Sequence, residues 1–264
     1  MSLRFCANLN FLFCENGANI LEKIRLSKSA GFRGIEIAFP SQFTKEEVSA
    51  VQKENDMNVV LMNISLGSIP EASFGCAALP NLEAEFRENF NKTLDYAKAL
   101  NCKKIHIQAG NPVGTDAAAN DEAYLRNLQY AAKQLESTGI IGLIEPINNY
   151  SIPGYYLNSY DKALQILEKL NNTNIKLMID LFHLQLIRGN ITNTLNELKS
   201  YTGHVQVAQA PNRNEPSSTG EINFKHVFKA LENTGYNDWV GCEYKPTIAS
   251  EDTLTWIKEY GYSF

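Results

Sequence analysis

The chain has 264 residues, 44% of them hydrophobic, which is enough for one sizeable core or two smaller ones. Its net charge of −5 argues against a nucleic-acid surface, which needs clustered Lys and Arg to neutralise phosphates. No apolar run reaches the length that crosses a bilayer, so no membrane partner is expected.

Strand-like runs recur from end to end: RFCANLN (4–10), GIEIAF (34–39), VVLMNI (59–64), KKIHIQ (103–108), IGLIEPI (141–147), IKLMID (175–180), HVQVAQ (204–209) and WVGCEY (239–244). Several are apolar on successive residues, which suits parallel strands buried on both faces. Helical patterns lie between them. In 81–101, Leu82, Phe86, Phe90, Leu94 and Ala97 fall on one face, as three- and four-residue steps require. Leu125, Leu128, Ala132 and Leu135 do the same in 121–138, and Phe224, Val227, Phe228 and Leu231 in the helix expected from 222. Thr44 and Glu47 have capping-box spacing, and Gly31, Gly139 and Gly235 close helices.

Eight strands alternating with eight helical stretches predict an α/β fold, a single (β/α)8 TIM barrel forming one domain over 1–264. A doubly wound sheet usually carries a glycine-rich phosphate turn after its first strand, and ANLNFLFCENG is not one. The five cysteines are scattered, with no CxxC pair. They read as reduced thiols of a cytoplasmic protein. The opening MSLRFCANLNF has no charged leader before an apolar core, so no signal peptide is expected.

In a barrel the C-terminal strand ends carry the chemistry. Glu145 lies near the end of the fifth strand, Asp180 ends the sixth, Gln206 lies in the seventh and Glu243 closes the eighth. Three carboxylates at one rim repel one another and raise each other's pKa. A divalent cation relieves this, and oxygen ligands suit Mg²⁺ or Mn²⁺. Taken singly, each acid also reads as a strand-end residue paired with a lysine or a helix N-terminus.

The segments LIEPIN, MIDLFHLQ, HVQVAQAPNRNEPSSTGEINF and GYNDWVGCEYKP resemble those of the hydroxypyruvate isomerases. These belong with the xylose isomerase-like barrel enzymes, alongside ketose 3-epimerases and endonuclease IV. The likeness runs through almost the whole chain, including CANLNFLF and ALPNLEAEFRENF. It implies that Glu145 and Glu243 act as acid and base, and that Glu145, Asp180, Gln206 and Glu243 surround a metal. His183 would contact substrate oxygens, and Arg213, in APNRNEP, would stand near the substrate. The sugar epimerases carry histidine where Gln206 stands, and an amide oxygen is the weaker ligand for most transition metals. At NISLG (63–67) relatives commonly show an Asn-Pro-like turn.

The expected reaction moves the carbonyl of hydroxypyruvate from C2 to C3, giving tartronate semialdehyde (2-hydroxy-3-oxopropanoate). A proton leaves one carbon and returns to its neighbour through an enediolate, which two facing carboxylates can serve. A metal would stabilise the developing charge. The substrate, a small hydroxy-keto acid, wants a cation for its carboxylate. Arg213 is the first choice and Lys245 the second, although a solvated loop arginine reads as well. His106, ending the fourth strand, either lines the pocket or is a satisfied core histidine. Asn148 either positions substrate hydroxyls or caps its loop. Phe11, Phe13, Tyr155 and Tyr156 read as packing. The rivals are a ketose 3-epimerase, an endonuclease IV-type nuclease, which needs several histidines and a basic groove, and a catalytically silent binding barrel. The oligomeric state is not legible.

Overall fold

The structure, a computed structural model, describes residues 3–112 and 114–264. Its strands are β1 (Arg4–Asn8), β2 (Gly34–Ile37), β3 (Asn58–Asn63), β4 (Lys104–His106), β5 (Ile141–Ile144), β6 (Ile175–Asp180), β7 (Thr202–Val207) and β8 (Trp239–Cys242). They pair in chain order, all in parallel, and β8 closes onto β1. The helices are α1 (Ile20–Ser29), α2 (Lys45–Glu54), α3 (Glu83–Ala99), α4 (Ala117–Leu135), α5 (Tyr160–Leu170), α6 (Leu181–Ile187), α7 (Ile191–Leu198), α8 (Phe224–Asn233) and α9 (Thr255–Glu259). The fold is the expected (β/α)8 barrel. Among the described residues, no helix is long and apolar enough to cross a membrane.

Local chemistry sets the element ends. The Thr44 hydroxyl accepts the Glu47 N–H at 3.2 Å while Glu47 Oε2 accepts the Thr44 N–H at 2.8 Å, the reciprocal box that starts α2. The stretch after β6 divides into α6 and α7, because Gly189 and Asn190 take φ of +63° and +48° and a right-handed helix cannot continue through them. The eighth helix begins at Phe224 rather than 222, capped by Asn223, whose side chain accepts the His226 N–H. Several strands are shorter than their sequence runs. The ladder of β5 stops at Ile144, just before Glu145 and Pro146, and proline has no N–H to extend it.

Alternation along each strand decides what fills the barrel. Phe5, Ile35, Ile105, Ile179, Val205 and Val240 belong to the large core between sheet and helices. Inside the barrel the apolar cluster is small: Leu61, Leu143 and Met178, with Ile141 against them. The other inward positions hold buried polar groups, among them Asn8, Glu36, Lys104, His106, His204 and Gln206. The strands are buried on both faces, as expected, but the expectation that successive residues are apolar is corrected. One face is apolar, while much of the other builds the site and a polar network beneath it.

Candidate active site

Glu145 follows β5, Asp180 ends β6 and Glu243 follows β8. Gln206 lies in β7, in register with Asp180 on one side and Gly241 on the other. A cavity of about 540 Å³ at this mouth is lined by Glu145, Glu243, His106, His183, Arg213 and Lys245. Asp180 and Gln206 are more deeply buried, at 0% and 1% exposure. A second hollow of about 400 Å³ lies over the loops after β3 and β4, lined by Pro70, Leu79, Pro80 and Leu82 among others. It contains none of these acids.

Arg213 ties the acids together. Its Nη2 donates to Asp180 Oδ2 at 3.0 Å and to Glu243 Oε2 at 2.6 Å. Its guanidinium carbon sits 4.7 Å from the centre of the Phe11 ring and 5.0 Å from that of Phe182, a sandwich that favours the cation. Phe11, read as packing, therefore lines the site. The loop is stitched to β8 by the Lys245 N–H, which donates to the Arg213 carbonyl at 2.7 Å. Arg213 is thus no solvated loop residue. The ammonium of Lys245 has no hydrogen bond or ion pair among the described residues.

His183 is held by Asn148, whose backbone N–H donates to Nδ1 at 3.2 Å and whose side-chain amide nitrogen lies 2.6 Å from it. Since Nδ1 accepts, the ring hydrogen is assigned to Nε2. That nitrogen lies 3.6 Å from Asp180 Oδ2 and 3.9 Å from Glu145 Oε1. Asn148 also caps its own turn, its oxygen accepting the Tyr150 and Ser151 N–H groups. His106 Nε2 lies 3.5 Å from Glu145 Oε2.

Burial, followed by the charges of Glu243 and Asp180, pushes Glu145 well above the usual carboxylate range. Burial pushes Glu243 up to about 8 against the pull of Arg213, and Asp180 up to about 6. Burial also pulls His106 down to about 3 and lowers His183, so both rings are neutral at pH 7. Raised carboxylates beside neutral imidazoles in a cleft suit proton transfer near neutral pH.

The same groups fit a hard divalent cation. Oε1 of Glu145 and Oε1 of Gln206 are buried without a hydrogen-bond partner among the described residues, as acceptors reserved for another ligand would be. Carboxylate oxygens of Glu145 and Asp180 lie within 4.8 Å of one another.

Glu36 in β2 was not singled out by the sequence, and it is fully buried. Its Oε2 accepts from Asn8 and Gln206, each at 2.8 Å, and its Oε1 meets His204 Nε2. Lys104 Nζ lies 2.9 Å from His204 Nδ1 and 2.8 Å from Asp238 Oδ2. Burial opposes the charge on Glu36, but His204, Gln206 and Asn8 outweigh it and hold the group below its ordinary value. The available signal was one glutamate inside an apolar run, the same signal that marked Glu145.

Residues 24–260 match the family model described as xylose isomerase-like TIM barrel. The chain is 45% identical over 264 residues to a Drosophila melanogaster protein, covering 100% of both chains. It is 39% identical over 259 residues to the hydroxypyruvate isomerase of Escherichia coli, covering 98% of this chain and 99% of that one. It is 34% identical over 258 residues to the 2-oxo-tetronate isomerase of Cupriavidus necator, covering 97% and 98%. A solved Brucella melitensis structure, described as an AP endonuclease, family 2, aligns with a TM-score of 0.93 at 36% identity, covering 98% of this chain and 99% of that one.

Proposed function

The chain belongs to the hydroxypyruvate isomerase family of the xylose isomerase-like TIM barrels, and from that premise we propose that it interconverts hydroxypyruvate and tartronate semialdehyde. One observation carries the reading: two glutamates with raised pKa, Glu145 and Glu243, line a single cavity together with two cations. The whole chain, 1–264, acts as one isomerase domain, and its five free cysteines agree with a reducing cytoplasm.

One glutamate takes a proton from C3 of hydroxypyruvate and the other returns one to C2, while the hydroxyl proton moves from the C3 oxygen to the C2 oxygen. The carboxylate oxygens of Glu145 and Glu243 are the proton carriers. His183 Nε2–H donates to a substrate oxygen as charge develops there, a geometry fixed by Asn148. Arg213 uses Nη2 on Asp180 and Glu243. Its Nη1 and the Lys245 ammonium are left for the substrate carboxylate. The neutral His106 beside Glu145 closes the wall behind it. Glu145, Asp180, Gln206 and Glu243 would hold Mg²⁺ or Mn²⁺, which supplies positive charge to the enediolate.

A longer 2-keto acid is the second reading, favoured by a cavity of about 540 Å³ that is roomy for three carbons. The test is ¹H NMR in D₂O with hydroxypyruvate, 2-oxo-tetronate, fructose and tagatose, with and without chelator, and with abasic DNA as a control. We expect deuterium at C3 of hydroxypyruvate together with tartronate semialdehyde. Turnover of a ketose alone, cleavage of the DNA, or no exchange under any metal condition would overturn the proposal.

A further inference from the structure

We propose that Glu36 is a positioning residue. Its carboxylate orients the amides of Gln206 and Asn8, so that Gln206 turns its oxygen towards a cation and Asn8 holds Glu243. This rests on the reading that Gln206 and Glu243 help to bind a divalent metal.

An amide has a donor end and an acceptor end, and a partner for one end decides where the other faces. Gln206 Nε2 donates to Glu36 Oε2 at 2.8 Å, leaving Gln206 Oε1 buried and without a partner among the described residues. Asn8 Oδ1 accepts the Asn10 N–H at 3.0 Å. Its nitrogen therefore bridges two carboxylates, Glu36 Oε2 at 2.8 Å and Glu243 Oε1 at 3.0 Å.

Glu36 is itself fixed from below. An ammonium has only donors, so Lys104 makes His204 Nδ1 the acceptor, and Nε2–H must donate to Glu36. Cys6 Sγ adds a weak donor at 3.6 Å. Donors from β1 and β7 thus converge on one carboxylate, and only a group with no hydrogens of its own satisfies them all. Glutamine at 36 would set its NH₂ either against the His204 N–H or against the two amide nitrogens. Gly241 makes the space, since a Cβ there would run into Glu36 Oε1. Although Cys6, Glu36 and His204 cluster closely enough to suggest a metal trio, Lys104 already sets a positive charge beside His204 and occupies its Nδ1. The cluster is a strut.

The test measures Mn²⁺ affinity by electron paramagnetic resonance in the wild type, Glu36→Gln, Gln206→Leu and the double variant. Groups that orient metal ligands typically govern affinity by about 10- to 100-fold, and Glu36→Gln is expected to lose that much. In the Gln206→Leu background the same change should cost only the few-fold carried through Asn8. A general structural role would give the same loss in both backgrounds, and that result would overturn the proposal. So would unchanged affinity in Glu36→Gln, or a wild type that binds no Mn²⁺. If Glu36→Gln does not fold, Asn8→Ala decides: it removes the amide that links Glu36 to Glu243 and should weaken Mn²⁺ by about 3- to 10-fold, with unchanged affinity counting against us. A wild type that binds Mn²⁺ but leaves hydroxypyruvate untouched sinks the substrate reading and not this one.

Discussion

Glu36 and Glu145 are the same residue type inside the same barrel, at 0% and 4% exposure, yet their surroundings treat them in opposite ways. Glu36 accepts from Asn8, Gln206 and His204 and is held below the usual carboxylate range. Glu145 has a buried oxygen with no donor among the described residues and two neighbouring acids, and its pKa is pushed well up. A buried charge with every lone pair satisfied is structural. One left short of donors is poised to take a proton or a cation. The barrel places the first kind midway along its interior and the second at its mouth.

The contrast breaks most visibly in turnover. Glu145→Gln and Glu243→Gln keep shape but cannot carry a proton, and each should lower kcat by about 10³-fold or more, given what acid–base catalysis contributes. A steady-state assay showing less than a tenfold loss in both would place the chemistry elsewhere. Arg213→Lys keeps the charge but loses the planar guanidinium whose Nη2 bridges Asp180 and Glu243 while Nη1 is left for the substrate. It should reduce kcat/KM by about 10²-fold, since a site that stacks a planar guanidinium between two rings and uses several of its donors does not tolerate that exchange. Lys245→Ala should raise KM for hydroxypyruvate by about tenfold with kcat little changed, as loss of uniform binding does. A fall in kcat instead would bring Lys245 into the chemistry.

The smallest effect is in stability and sharpens the comparison directly. A carboxylic acid whose pKa is raised by folding binds its proton more tightly in the native state. Its charge is therefore a cost above the folded pKa, relieved as pH falls towards the unfolded value. With Glu243 at about 8, Glu243→Gln in chelated buffer should raise Tm by about 2 °C or more at pH 9, by thermal-shift assay. The gain should fade as pH drops through 8 and vanish near the ordinary carboxylate pKa. Glu36→Gln should lower Tm at pH 7 and above, where its lowered pKa makes the charge stabilising.

Much of this was legible in the chain. Eight strand runs gave the barrel, and single acids ending apolar runs marked Glu145, Asp180 and Glu243. Two things were hidden. Within GIEIAF and HVQVAQ the polar residues alternate with apolar ones, so Glu36, His204 and Gln206 share the inner face. Read as continuous hydrophobic runs, the strands concealed that face. Arg213 was visible as a loop cation, but its grip on Asp180 and Glu243 depends on a left-handed residue, φ +61°, within a loop stitched to the neighbouring strand. No local pattern encodes such a contact. The break between α6 and α7 at Gly189 and Asn190 was, by contrast, available from residue type.

The central claim is that Glu145 and Glu243 face one small ligand from two sides. A crystal structure with glycerate, which has the substrate's carbon skeleton but no carbonyl, tests it most directly. C2 and C3 should lie between the two carboxylates at about 3–3.5 Å, the separation of reacting atoms, with the ligand carboxylate on Lys245 or Arg213. Glycerate touching only one glutamate, or seated in the hollow beside Pro70 and Leu79, would contradict it.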